Sequence, residues 1–112
     1  MALDLHLDVL LAPDEGGWLA HCLQLDLAEW GETREAAHAN LLDVVRAHVE
    51  STVENDNLEH LFHPAPPEVW ERFLQGELLS EQTHALDVSA GTPAGAYYRH
   101  VRVREASLAH AA

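Results

Sequence analysis

The chain has 112 residues, a typical length for one domain with a modest hydrophobic core. Its formal net charge is −13, with 19 acidic residues and no lysine, which argues against a surface that binds the phosphate backbone of nucleic acids. The single cysteine, Cys22, excludes an internal disulfide and a multi-cysteine zinc site, and no apolar run approaches the roughly 18 residues of a membrane-spanning helix.

The N-terminal part of the chain is patterned as three strands. Apolar and polar residues alternate through residues 3–11, which predicts a first strand with one buried face. The same residues lack the basic start and continuous apolar core of a signal peptide, so we expect a cytoplasmic protein. Turn-forming residues 13–17 end this strand, and residues 18–25 and 27–30 predict two further strands in an antiparallel meander.

A long amphipathic helix is predicted from about Arg34 to about Val53. Thr33 lies at the position of an N-cap, where its hydroxyl can accept a hydrogen bond from a backbone N–H of the first turn. The apolar residues of this segment recur at the spacing of one helical face. The predicted buried stripe contains Ala37, Leu41, Val44, Val45, His48, Val49 and Thr52.

The second half of the chain is less regular. Pro67 suits the start of a short helix over about residues 67–75, residues 77–95 are weakly patterned, and alternation over about residues 96–105 predicts a last strand. These patterns predict an α+β fold in β-β-β-α order, an antiparallel sheet of three or four strands with the long helix packed on one face. We expect one domain over residues 1–112, with a core over 2–53 and a C-terminal elaboration over 54–112.

An ordered set of motifs lies within residues 5–48. It consists of Pro13-Asp14-Glu15-Gly16-Gly17-Trp18, then Gly31-Glu32-Thr33-Arg34-Glu35-Ala36, then Ala37-His38-Ala39-Asn40-Leu41. The set resembles the HicB-like antitoxin family, whose members have an Asp-, Glu- and Gly-rich turn, a Gly-x-Thr segment and a helix with an Ala-x-x-Asn-Leu signature. The resemblance implies a fold like part of RNase H without its catalytic carboxylates. It also implies a small, basic, HicA-like mRNA-interferase toxin as the partner.

The chain departs from this family pattern in two places. Family members usually have a Pro-Gly pair between the second and third strands, where this chain has Leu25-Asp26-Leu27. Many full antitoxins also end in a helix-turn-helix or ribbon-helix-helix module, and residues 54–112 have the pattern of neither. We therefore expect no direct binding to DNA.

Nine histidines raise the question of a metal site. His60 and His63 are three residues apart and could reach one ion from a single helical turn, but adventitious surface histidines are the favoured interpretation. Asp8, Asp26 and Glu29 could converge on a divalent cation, although a solvated sheet face and turn chemistry explain them more simply. We therefore expect neither a metal nor another cofactor.

Two further groups of residues are candidates for contact surfaces. An aromatic and basic patch near the C terminus contains Tyr97, Tyr98, Arg99, Arg102 and Arg104. It could stack on RNA, but the favoured interpretation is an edge strand whose arginines discourage aggregation. Trp18 and Trp30, with the carboxylates Asp8 and Glu29, are candidates for a partner or dimer interface.

Charge is unevenly distributed along the chain. Residues 1–87 carry eighteen acids against three arginines, a balance of −15, whereas residues 88–112 have a balance of +2. An acidic body suits a protein that covers a basic partner, because opposed potentials steer association. We therefore expect a homodimeric binding protein rather than an enzyme, either a HicB-like antitoxin or a stand-alone relative. The alternatives are a small ligand-binding or housekeeping module of the same fold and, less favoured, a metal-dependent hydrolase.

Overall fold

A computed structural model describes residues 2–55, 58–89 and 97–108, which form five strands and two α-helices. The strands are β1 (Ala2–Asp14), β2 (Gly17–Cys22), β3 (Leu27–Gly31), β4 (Glu77–Ser89) and β5 (Tyr97–Ser107). The helices are α1 (Arg34–Glu54) and α2 (Pro67–Gln75), with a 3-10 turn over Leu58–His60 between them. Residue 96, where the last predicted strand begins, lies outside the described residues.

The sheet is mixed, and its strand order is β3-β2-β1-β5-β4. β1 pairs in parallel with β5, while β1–β2, β2–β3 and β4–β5 are antiparallel pairs. The expectation of an antiparallel sheet of three or four strands is therefore wrong. Alternation shows which face of a strand is buried, but it does not specify the neighbouring strand or its direction. The long chain between β1 and β5 supplies the crossover that a parallel pair requires.

β4 is a strand that the sequence patterns do not predict. Ser80 and Gln82 pair with β5 residues on one face of the sheet, and Glu81 and Thr83 pair with residues on the other. Polar side chains therefore occur on both faces of β4, and the period-two signal disappears. Among the described strands β4 lies at the edge of the sheet and pairs with β5, so tertiary pairing determines its conformation rather than its own pattern.

The two faces of the sheet carry separate hydrophobic cores. The larger core, between the sheet and α1, contains Leu5, Leu7, Val9, Leu11, Ala20, Cys22, Leu25, Ala37, Leu41, Val45, Val49, Val53, Leu61, Val101 and Val103. The smaller core, beneath α2, contains Leu10, Leu23, Phe73 and Ala106. Successive side chains of a strand point to opposite faces, so β1 supplies residues to both cores. α2 covers only part of its face, and this leaves a polar area beside it.

α1 occupies the predicted range, and its first turn is capped as expected. The Thr33 hydroxyl accepts a hydrogen bond from the Ala36 N–H at 3.0 Å. Val44 and His48, which were expected in the buried stripe, are only half-buried, and the His48 imidazole donates to the Leu61 carbonyl at 2.9 Å. The buried residues of α1 are Ala37, Leu41, Val45, Val49, Thr52 and Val53. Neither helix in the described part of the chain is long and apolar enough to cross a membrane.

The first hairpin turns at Glu15 and Gly16, whose φ angles are 46° and 81°. Two consecutive positive φ angles are typical of the type I′ turn that suits the twist of a hairpin. Gly17 is already part of β2, opposite Asp14. A Cβ atom at Gly17 would lie 2.4 Å from the Trp30 ring, so close packing, rather than the turn, requires glycine there.

Candidate functional site

A polar groove lies on the sheet face that α2 leaves uncovered. Its volume is about 470 Å³, and strands β1, β5 and β4 form its floor. The polar residues that line it include His6, Asp8, Gln24, Thr83, Arg102 and Arg104. Strand register explains why they meet, because directly paired residues of neighbouring strands share a face. Arg102 pairs with His6 on one side and Thr83 on the other, and Arg104 pairs with Asp8 and Glu81 in the next row.

Asp8 is the centre of a closed hydrogen-bonded network at one end of this groove. Arg104 Nε donates to Asp8 Oδ1 at 2.8 Å, and Gln24 Nε2 donates to Asp8 Oδ2 at 2.8 Å. The Gln24 side-chain carbonyl in turn accepts from the Asp8 backbone N–H at 2.7 Å. The Arg104 guanidinium also lies over the Phe73 ring, 5.3 Å from its centroid. Asp8 therefore fixes Arg104 and the β2–β3 turn, and neither of its oxygens is left without a donor.

Arg102 is in a different situation from Arg104. Its side chain is exposed in the groove, and within the described residues it has no hydrogen bond or ion pair. His6, its neighbour on β1, is exposed as well. Asp4 and His100 are the next facing pair on β1 and β5, and His100 Nδ1 lies 3.5 Å from Asp4 Oδ1. The groove thus combines one arginine held by a carboxylate with one arginine that faces solvent.

The arginines of β5 do not protect an edge. β5 lies between β1 and β4, so its interpretation as an edge strand is wrong. Alternation over residues 97–105 indicates a strand equally well at an edge or in the interior of a sheet. The side chains of Tyr97, Tyr98 and Arg99 lie outside the described ones, so only Arg102 and Arg104 of the aromatic and basic patch are placed, and both lie in the groove.

A second polar cluster lies on the opposite face of the sheet, beneath α1. Glu105 of β5 is 7% exposed, and His38 Nδ1 of α1 contacts its Oε1. His38 Nε2 also lies 3.4 Å from His84 Nε2 of β4. Burial, together with the neighbouring His84, lowers the pKa of His38, which favours its neutral form at pH 7. The cluster connects α1 to β4 and β5, and it is closed off from the groove by the sheet itself.

The sequence analysis does not select Glu105, although the alternation of residues along β5 indicates that its side chain is buried. Residues 101, 103 and 105 share one face of a strand, and Val101 and Val103 are core residues. A carboxylate at position 105 therefore had to be buried beside them. Buried carboxylates need a polar partner, and tertiary structure supplies His38 from a distant part of the chain.

The predicted carboxylate set does not converge. Asp8 faces the groove, whereas Glu29 pairs with Ala20, a residue of the core beneath α1, and therefore lies on the other face. Asp26 lies in the β2–β3 turn with a φ of 52° and accepts a hydrogen bond from His21 Nε2 at 2.6 Å. Turn geometry and local hydrogen bonding thus account for Asp26.

The histidine pair lies near the 3-10 turn after α1. His60 ends that turn, is exposed, and lies 3.8 Å from Glu59. The backbone N–H of His63 donates to the Gln24 carbonyl at 3.0 Å, which ties this segment to the β2–β3 turn. Among the residues that the structure describes, no three His, Cys, Asp or Glu side chains are arranged to hold a metal ion.

The two candidate tryptophans lie on opposite faces of the sheet. Trp18 packs against the core beneath α1, and the Arg34 guanidinium lies 4.2 Å from its ring centroid. Trp30 is 41% exposed on the other face, and its indole N–H donates to the Asp14 carbonyl at 2.9 Å. They cannot belong to one flat contact patch, and only Trp30 presents a large exposed ring.

The outward side of α1 carries an acidic stripe, defined here as Glu35, Asp43, Glu50 and Glu54. All four side chains are exposed. At 100° per residue their directions fall within roughly 100° of arc, and at 1.5 Å per residue they extend over roughly 28 Å. The stripe faces away from the sheet, because the opposite side of α1 is the buried one.

Cys22 is a core residue rather than a reactive thiol. It is 0% exposed, and burial raises its pKa to about 11. At pH 8 the thiolate fraction is then on the order of 10⁻³, so a disulfide reagent such as DTNB should label native protein only as fast as it unfolds. Stopped-flow absorbance should show rapid labelling in 8 M urea and slow labelling in buffer. Labelling of the native protein at the rate of a small free thiol would contradict this.

Comparison of the chain with protein-family models, with curated proteins and with solved structures finds no match in any of the three.

Proposed function

We propose that this chain is a HicB-like antitoxin or a stand-alone relative, a cytoplasmic protein that binds and neutralises a small basic mRNA-interferase toxin by protein–protein contact. The observation that carries the proposal is the acidic stripe of α1. Four exposed carboxylates lie along the outward side of α1, and Arg46, the basic residue on that side, is half-buried and donates to the Ala85 carbonyl of β4. A basic partner that docks along it meets opposed charge at four positions, which accelerates encounter and selects against acidic competitors.

The positions that carry the family resemblance also support the proposal, because they build the junction between β3 and α1. Gly31 lets the strand approach the helix closely, and Thr33 caps the helix. Asn40 Nδ2 donates to the Trp30 carbonyl at 2.9 Å, and Leu41 is buried in the larger core. The resemblance therefore rests on residues that orient α1, the helix whose outer side would meet the partner.

Charge reversal in the acidic stripe tests the proposal. The partner to be used is the product of a small basic reading frame adjacent to the gene. The double variant Asp43→Lys/Glu50→Lys should weaken this complex by about 100-fold or more at 0.15 M salt, since close charge pairs at interfaces couple by a few kcal/mol. Calorimetry measures the affinity, and a toxin growth assay measures neutralisation.

The matched control is Glu71→Lys/Glu77→Lys, which makes the same change in net charge. Both residues are exposed and lie outside the stripe, on α2 and β4. We expect the control complex to weaken by no more than about threefold, because exposed charges far from a contact contribute little. The proposal fails if the adjacent product does not bind, or if both double variants weaken binding equally.

A further inference from the structure

His6 of β1, Arg102 of β5 and Thr83 of β4 face one another and form a row across the groove. The packing of the protein does not explain the arginine in this row. Edge protection is excluded for Arg102, since β5 is an interior strand. An acid partner is also missing within the described residues, in a chain that contains 19 acids. Arg34 stacks on Trp18 and Arg104 is held by Asp8, whereas Arg102 faces the groove with no partner among the described residues.

Three hydrogen-bond donors meet at this row. Directly opposite residues of paired strands have Cβ atoms about 5 Å apart, so the Arg102 side chain leaves the sheet between those of His6 and Thr83. Two carboxylates flank this row on β1: Asp8 accepts from Arg104 and Gln24, and Asp4 lies 3.5 Å from His100 Nδ1. Glu81, opposite Arg104 on β4, bounds the groove in the next row.

We propose that this groove binds the phosphate group of a small phosphorylated molecule, with the Arg102 guanidinium as the main contact and His6 and Thr83 as supporting donors. A guanidinium donates two parallel hydrogen bonds to two phosphate oxygens, and the donors on either side reach the remaining oxygen. A carboxylate has two oxygens and a single negative charge, whereas a phosphate group offers a third oxygen to the flanking donors and carries more charge opposite Arg102. The groove volume of about 470 Å³ is within the range of small-molecule sites. The groove and α1 lie on opposite faces of the sheet, so this site is independent of the proposed toxin surface.

A titration of the full chain with inorganic phosphate tests this site. Amide ¹H–¹⁵N shifts should move saturably, with the largest changes near His6, Thr83 and Arg102. Arg102→Gln should weaken phosphate binding by about tenfold or more, since it removes a charge-assisted bidentate contact. Thr83→Val should weaken it by about two- to fivefold, because it removes one neutral donor.

Arg72→Gln is the matched control. It removes the same charge from an exposed position on α2, outside the groove. We expect its phosphate affinity to stay within about twofold of the parent, because screening at 0.1 M salt limits the effect of distant charges. Succinate at equal ionic strength serves as the carboxylate probe and should bind at least fivefold more weakly. Absence of saturation, equal loss in Arg102→Gln and Arg72→Gln, or succinate binding equal to that of phosphate would each overturn the proposal.

Discussion

Gly31→Ala is expected to lower the free energy of unfolding by about 3 kcal/mol, the upper part of the range for overpacking. A Cβ atom at this position would lie 2.2 Å from the Ala37 backbone nitrogen and 2.7 Å from the Ala36 carbonyl carbon. These are backbone atoms of the first turn of α1, so no side chain can rotate away. The strand or the helix would have to shift, and the cap at Thr33 would shift with it.

Urea unfolding followed by circular dichroism at 222 nm measures this effect. Gly16→Ala is the control, since a Cβ atom there meets nothing within 4 Å but the φ angle is +81°. We expect a loss of about 1 kcal/mol for the control, from left-handed strain alone. Equal losses in the two variants would show that backbone conformation, rather than the close approach of β3 to α1, determines the requirement for glycine at position 31.

Leu41→Ala is expected to cost about 3 kcal/mol of the free energy of unfolding, within the range of about 2–5 kcal/mol for buried leucines. Leu41 is 1% exposed and belongs to the larger core, where α1 packs against the sheet. Strands of the sheet and the helix surround the side chain, so the site cannot collapse easily around the missing atoms. A residual cavity adds to the lost transfer free energy.

The same denaturation experiment with Leu74→Ala provides a matched control. Leu74 is 79% exposed at the end of α2 and belongs to neither core. We expect its variant to stay within about 0.5 kcal/mol of the parent, as is usual for surface substitutions. A loss above about 2 kcal/mol for Leu74→Ala would mean that this side chain is covered in solution, and a loss below about 1 kcal/mol for Leu41→Ala would contradict the described core.

Local structure in the first half of the chain could be predicted from the sequence because its causes are local. The position of α1 follows from the Thr33 cap and from apolar residues that share one helical face. β1 follows from the alternation of apolar and polar residues, because the apolar residues 5, 7, 9 and 11 all lie on the face of the sheet that α1 covers. α2 begins at Pro67, where a missing N–H and a fixed φ suit the first helical position.

The sheet could not be predicted to the same extent. β4 has polar residues on both faces, and its conformation depends on pairing with β5. The parallel pairing of β5 with β1 joins residues about a hundred positions apart, and neither strand contains a local signal of its neighbour's direction. The β5 arginines were assigned to an edge for the same reason, whereas the structure places β4 outside them.

The candidate sites divide in a similar way. The acidic character of the chain is a property of composition, but the alignment of four carboxylates along α1 requires a helix with its opposite side buried. The sequence patterns place Asp8 among candidate carboxylates, and Arg102 and Arg104 together in the aromatic and basic patch. Register across β1, β5 and β4 brings them into one groove, where Arg104 is held by Asp8 and Arg102 has no partner in the described part of the chain.

The sequence alone determined the acidic character of the chain and the features that depend on residues close together in it: a capped amphipathic helix, a first hairpin and the buried face of β1. Tertiary structure decided the strand order, the direction of β5, the division into two cores and the residues that meet in the groove. The physical reason is the range of the interactions. Capping, turn formation and periodic burial involve neighbours within a few residues, whereas strand pairing depends on which distant segments together bury the most apolar surface and satisfy their backbone hydrogen bonds.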